Sequence, residues 1–174
     1  MTGAETKKSV SWIEWLVIGL LVGLLGLLAI WAISSARTMA RDAVRLSDVR
    51  QVQTGLELYF NDHNTYPEVT DVLPLGQATT FCLSDDGFSG ECDASEVLYL
   101  ESVAMPPANG LRDSVCDGAE DAYCYIGAEA SYRIQFELEK DQPLLGLEKG
   151  LNCATETGLE SGVCGLPDGF EVTE

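Results

Sequence analysis

From Trp15 to Ile33 the chain reads W-L-V-I-G-L-L-V-G-L-L-G-L-L-A-I-W-A-I, nineteen residues without a charge. Glu14 and Arg37 are the nearest charges on either side. As a helix, about twenty apolar residues cover the ~30 Å of hydrocarbon in a bilayer. Trp12, Trp15 and Trp31 lie near the two ends of the run, where an amphipathic indole sits well at headgroup level. A soluble domain of this size has too little interior to hide such a helix on every side. The first expectation is therefore a single transmembrane helix over residues 10–36.

Charge is unevenly spread. Residues 1–50 hold six Lys/Arg against four Asp/Glu, and residues 51–174 hold four against 24, a net of −20 for the second part. Such a field repels phosphates and excludes nucleic acid as a partner. It suits solubility, cation binding or a salty exterior, and the sequence does not separate these.

All six cysteines, Cys82, Cys92, Cys116, Cys124, Cys153 and Cys164, lie beyond the apolar run. An even count in a small domain points to disulfides and an oxidising compartment. Six cysteines admit 15 pairings. The sequential one is preferred, because each close couple surrounds Gly- and Asp-rich turn sequence. No C-x-x-C pair occurs, which sets aside zinc and thioredoxin-type chemistry. The cysteines favour an extracytoplasmic C-terminal domain, with the N-terminus in the cytoplasm. Arginine counting conflicts with that orientation. Lys7 and Lys8 precede the helix, but Arg37, Arg41, Arg45 and Arg50 follow it.

Helical periodicity continues past the membrane. Met39, Ala43, Leu46, Val49, Val52, Leu56 and Tyr59 recur every three or four residues and give an amphipathic extension over 37–61. Arg37, Arg41 and Arg45 form an i,i+4 ridge, expected on its polar side. Gly55 weakens this helix by up to ~1 kcal/mol. Phe60 to Pro67 reads as its stop. An apolar stripe with nothing beside it must be covered, so the acidic globular part, 62–174, is expected to pack on this half of the helix. Within it, residues 68–92 read as loop. Asp93 to Glu96 has capping-box spacing ahead of a short helix reaching Ala104. Tyr123–Ile126 and Tyr132–Leu138 alternate as a hairpin, with Tyr132, Ile134, Phe136 and Leu138 inward and Arg133, Gln135 and Glu137 outward. Leu144–Leu147 reads as a weaker third strand, and the tail from Gly150 as loop. The fold class is α+β: one long N-terminal helix against a small antiparallel sheet with disulfide-stapled loops.

Chemistry is sparse. Asp85, Asp86, Glu91 and Asp93 put hard oxygen ligands on a stapled loop, so calcium is the one cofactor left open. Their spacing is not that of an EF-hand, and a solvated acidic loop is the plainer reading. Asp117, Glu120 and Asp121 are read the same way. His63 stands in a turn with no catalytic partner nearby in sequence. No G-x-S-x-G, H-E-x-x-H or phosphate loop occurs, and the chain is not expected to be an enzyme. Gly19, Gly23 and Gly26 lie on roughly one side of the apolar helix and would let a second helix approach. Glu14 stands at its start, where an unpaired carboxylate in hydrocarbon costs on the order of 3 kcal/mol.

The stretch K-K-S-V-S-W-I-E-W-L-V-I-G-L-L, the long helix after it, and L-E-L-Y-F-N-D-H-N-T-Y-P resemble the type IV pilin-like proteins, which include major pilins and type II secretion pseudopilins. The resemblance implies a leader, residues 1–9, removed by a prepilin peptidase between Ser9 and Val10. Methylation of the new N-terminus would follow, and Glu14 would become the fifth mature residue. It also implies assembly of copies into a helical filament at the cell surface by inner-membrane machinery. Glu14 would then neutralise a neighbour's N-terminal amine, and Gly19, Gly23 and Gly26 would ease helix contact. A type II secretion pseudopilin, a non-polymerising anchored binding module, and a secreted protein cut after Ser34 are the alternatives.

Overall fold

The computed structural model describes residues 12–92, 97–107, 115–116, 119–120 and 122–166. The chain divides into two units, Met1–Arg37 and Thr38–Glu174. One helix, α1 (Trp12–His63), contributes residues to both. It ends where turn formers begin. Asn64 takes a left-handed φ of 56°, and its N–H bonds the Phe60 carbonyl at 2.8 Å. Asparagine tolerates this cap better than other non-glycine residues.

The second unit packs helical residues from Thr38 onward on short strands. These are β1 (Leu73–Leu75), β2 (Cys82–Ser84), β3 (Gly87–Ser89), β4 (Leu98–Leu100), β5 (Val115–Cys116), β6 (Ala119–Glu120), β7 (Tyr123–Ala128), β8 (Ser131–Leu138), β9 (Gly150–Thr155) and β10 (Gly158–Ser161). A five-stranded antiparallel sheet runs in the order β1-β7-β8-β9-β10. A second antiparallel sheet runs β3-β2-β4, and β5 pairs β6. Register aligns Leu73, Tyr125, Ile134, Ala154 and Leu159 in one apolar row across the five strands. That row meets Val49, Val52, Leu56 and Tyr59 of α1 in a single core, with Tyr123, Tyr132 and Phe136. The α+β class therefore stands as read, and the stripe on the helix finds its cover in the sheet from Leu46 to Tyr59, whereas Met39 and Ala43, read into the same stripe, are exposed.

Several local expectations are corrected. Leu98–Leu100 is a strand, not a helix; Leu83 pairs with Leu100, and Asp93 to Glu96 lie outside the described residues. Its β-rich L-Y-L finds a sheet partner there, and tertiary pairing outweighs local helical spacing. Residues 68–92 hold three short strands rather than loop alone. Leu144–Leu147 is not the third strand: Pro143–Leu145 is a 3-10 turn closed by Gly146 at φ 70°, and the strand beside β8 is β9, in the segment read as loop. At Gly55 a methyl group would sit 3.4 Å from the Leu100 Cβ, so α1 and β4 meet closely there. Glu137 is buried, although the alternation put it outward.

Cys82–Cys92, Cys116–Cys124 and Cys153–Cys164 are bonded, the sequential pairing. Cys153 sits in β9, and its bridge to Cys164 holds the segment beyond β10. Replacing both residues by alanine should cost roughly 2–4 kcal/mol of unfolding free energy, as expected for a short native loop. Denaturant unfolding of the full chain in detergent checks this.

Candidate functional site

The apolar half of α1 is the first candidate. Over its most apolar 18-residue window the mean hydropathy is 2.8 and no residue is buried within the chain. The helix is long and apolar enough to cross a membrane once. Trp12, Trp15 and Trp31 are all exposed. At Gly19, Gly23 and Gly26 a methyl group would meet nothing within 4 Å. With 100° per residue, the three glycines share an arc of about 60°, and Glu14 lies about 150° away from it. The helix thus brings the glycines together and sets the carboxylate on another face. Ser9 and Val10 lie outside the described residues.

The second unit carries a charged cluster on its first helical turns. Asp42 is 0% exposed and Arg45 3%. The Arg45 guanidinium donates to Asp42 Oδ1 at 2.9 Å, to Glu139 Oε1 at 2.8 Å and to the Pro107 carbonyl at 3.1 Å. Arg41 donates to both oxygens of Glu139. Asp42 also accepts the backbone N–H of Glu139 at 2.9 Å and of Lys140 at 3.1 Å. Two arginines meet two carboxylates, so the charges balance in a place where an unbalanced one would be costly. Arg41, and then Arg45, hold the Glu139 carboxyl down at about 2 against burial. The polar ridge is corrected accordingly: Arg45 is interior, because its partner Glu139 stands 94 residues away and no helical periodicity could announce it.

Further along the helix, the Tyr123 hydroxyl donates to Asp48 at 2.8 Å, and burial still pushes the Asp48 carboxyl upward. At the helix end Tyr99 donates to Asp62 at 2.8 Å and to Asp85 at 3.3 Å, and His63 Nε2 lies 3.2 Å from Asp85. His63 stacks on Tyr59 with ring centroids 4.1 Å apart. Asp85 of the candidate calcium loop is thus engaged with an imidazole and a phenol. Asp93 lies outside the described residues, and among those described no three His, Cys, Asp or Glu side chains gather as a metal set. The sequence signalled Glu14 and the glycines. It did not signal Glu139, whose role depends on a contact between the end of β8 and the helix. The chain matches no family model, no curated protein and no solved structure in comparisons with known proteins.

Proposed function

We propose that this chain is a structural subunit of a type IV pilus-like filament, held in the membrane before assembly and packed through its apolar helix afterwards. The observation that carries the reading is the division of labour along α1. Residues 12–37 present apolar side chains on every face, whereas Val49, Val52, Leu56 and Tyr59 are core residues of a small antiparallel sheet. A helix that is apolar all round needs lipid or other helices for surroundings. In this reading the leader is removed between Ser9 and Val10 and the N-terminus starts on the cytoplasmic side. The disulfide-bonded head lies outside, and no catalysis is involved. Glu14 meets the terminal amine of a second copy, and Gly19, Gly23 and Gly26 seat another helix closely. Work in a pilus or in a type II secretion system follows from the same packing.

Glu14→Ala is expected to leave membrane insertion unchanged and to reduce sheared surface filament at least roughly tenfold, since a buried charge pair loses one member. Filament yield by immunoblot, beside the membrane fraction, reads both. A variant that assembles as well as wild type contradicts the role of Glu14. A wild-type chain that stays monomeric in the membrane favours an anchored binding module.

A further inference from the structure

Strand direction decides which end of the head each loop occupies. Near the start of β8, the Tyr132 hydroxyl accepts from the Gln53 amide at 3.3 Å. Just past its end, the backbone N–H groups of Glu139 and Lys140 donate to Asp42. Asp42 precedes Gln53 on α1, so β8 runs back toward the start of the helix. β9 returns, and its Thr155 carbonyl accepts from Gln53 at 2.8 Å. The β8–β9 connection therefore closes at the Thr38 end of the head. The chain leaving β10 does the same. Ser161 pairs with Asn152, and the Gly162 N–H donates to the Leu151 carbonyl at 3.0 Å. Leu151 itself pairs with Glu137, close to Glu139.

Both loops are apolar and bare. Gln142 to Leu147 and Ser161 to Leu166 carry no charge. Leu144 is 99% exposed and Val163 70%. The first loop is a fixed projection, because Gln142 and Leu147 exchange backbone hydrogen bonds of 2.9 and 3.2 Å across its base. Beside it, Lys140 and Lys149 cancel Asp141 and Glu148, so net charge neither draws nor repels a partner and apolar contact decides. The opposite end of the head is acidic. Past the helix, Asp62 and Asp85 share the Tyr99 hydroxyl, the exposed Asp86 follows, and the exposed Glu129 lies beside Tyr66.

Thr38 follows Ile33, the last residue of the uncharged run, by five residues. With the helix in a bilayer, chain length alone keeps this end within about 18 Å of the hydrocarbon. Tethering at that range presents the two loops to lipid at high effective concentration. We propose that, before assembly, Leu144 and Val163 insert into the headgroup layer of the bilayer that holds the chain. The inference rests on the membrane-held state of the proposed function and specifies how the head lies in it. The occupant is a phospholipid surface, contacted through apolar side chains rather than through charge. Entry into a filament then requires this contact to be released.

The test uses full-length chain, its three disulfides intact, in phosphatidylcholine vesicles at high lipid-to-protein ratio. A nitroxide is attached at Leu144→Cys, Val163→Cys, Asp86→Cys or Leu24→Cys, one position at a time. Accessibility to oxygen and to a water-soluble nickel chelate reads its depth. All four side chains are exposed, so the labels displace no packing. Labels at 144 and 163 are expected about 5–10 Å inside the headgroup boundary, with 86 in water and 24 in hydrocarbon. A label at 144 or 163 as open to the chelate as that at 86 overturns the proposal. If 24 still lies in hydrocarbon, the membrane-held reading survives that failure; if 24 is in water, both fall. Shielding at 144 from both reagents that fades on dilution with lipid means a second copy covers the loop, and overturns the proposal too.

Discussion

Asp42→Ala is expected to cost the head about 3–5 kcal/mol, the usual penalty for removing one member of a buried ion pair. The change strips Arg45 of one of its two carboxylates and leaves the backbone N–H groups of Glu139 and Lys140 without the acceptor they now share. Arg45 cannot escape to water, because it is almost wholly enclosed. Asp42→Asn should rescue only part of the loss. An amide keeps one acceptor oxygen but turns a donor toward groups that themselves donate. Denaturant unfolding of the full chain in detergent measures both. The same cluster sets an acid limit. The Glu139 carboxyl lies near 2 in the folded chain, against an ordinary 4.5. A depressed folded value contributes stability that is complete above the unfolded value and is lost as pH falls through the folded one. Wild type and Glu139→Gln should therefore differ most above pH ~4.5, and the difference should shrink between pH ~4.5 and ~2.

Gly127→Ala should be nearly as damaging, at about 3 kcal/mol or more. The added methyl would lie 2.2 Å from the Pro67 carbonyl oxygen and 2.2 Å from the Tyr125 hydroxyl. Neither can step aside cheaply. Tyr125 is fully buried and donates to that same carbonyl at 2.8 Å, and the Val69 N–H bonds the Gly127 carbonyl at 3.2 Å. Relief requires separating the 67–69 segment from β7 or breaking the phenol's hydrogen bond. Gly55→Ala is the control. Its methyl makes only ordinary contacts with Leu100 and Leu83, and alanine favours the helix by up to ~1 kcal/mol, so stability should be unchanged or slightly higher. Thermal unfolding of the two variants side by side separates crowding from glycine loss as such.

The parts legible in the sequence are those where one physical cause acts locally. Nineteen uncharged residues mark a helix long and apolar enough to cross a membrane, whatever surrounds them. Tyr132, Ile134, Phe136 and Leu138 alternate strictly, and all four are buried. The stripe through Val49, Val52 and Leu56 states which side of the helix the sheet must cover. Where causes are distant, the pattern is silent. In β9, G-L-N-C-A-T carries a glycine and an asparagine and no alternation; it is a strand because β8 and β10 flank it. Leu144–Leu147 is apolar like a strand, but Pro143 and Gly146 make it turn. β4 forms beside β2 despite a helical spacing ahead of it. Of the candidate site, Glu14 and the three glycines could be named from position alone. The Asp42, Arg45 and Glu139 cluster could not, because it joins residues that only the finished fold brings together.

The disulfides have a mechanical consequence. Their bonded cysteines are 10, 8 and 11 residues apart in sequence. None links a strand to the helix. Stretching the molecule from its ends would therefore extend nearly the whole head, with the covalent bridges withholding only about 100 Å of contour at ~3.5 Å per residue. Resistance to a pull on the head comes from the tyrosine-rich core and the carboxylate–guanidinium cluster, which rupture and re-form without a redox step. Such a head can yield under load and recover its shape once slack returns.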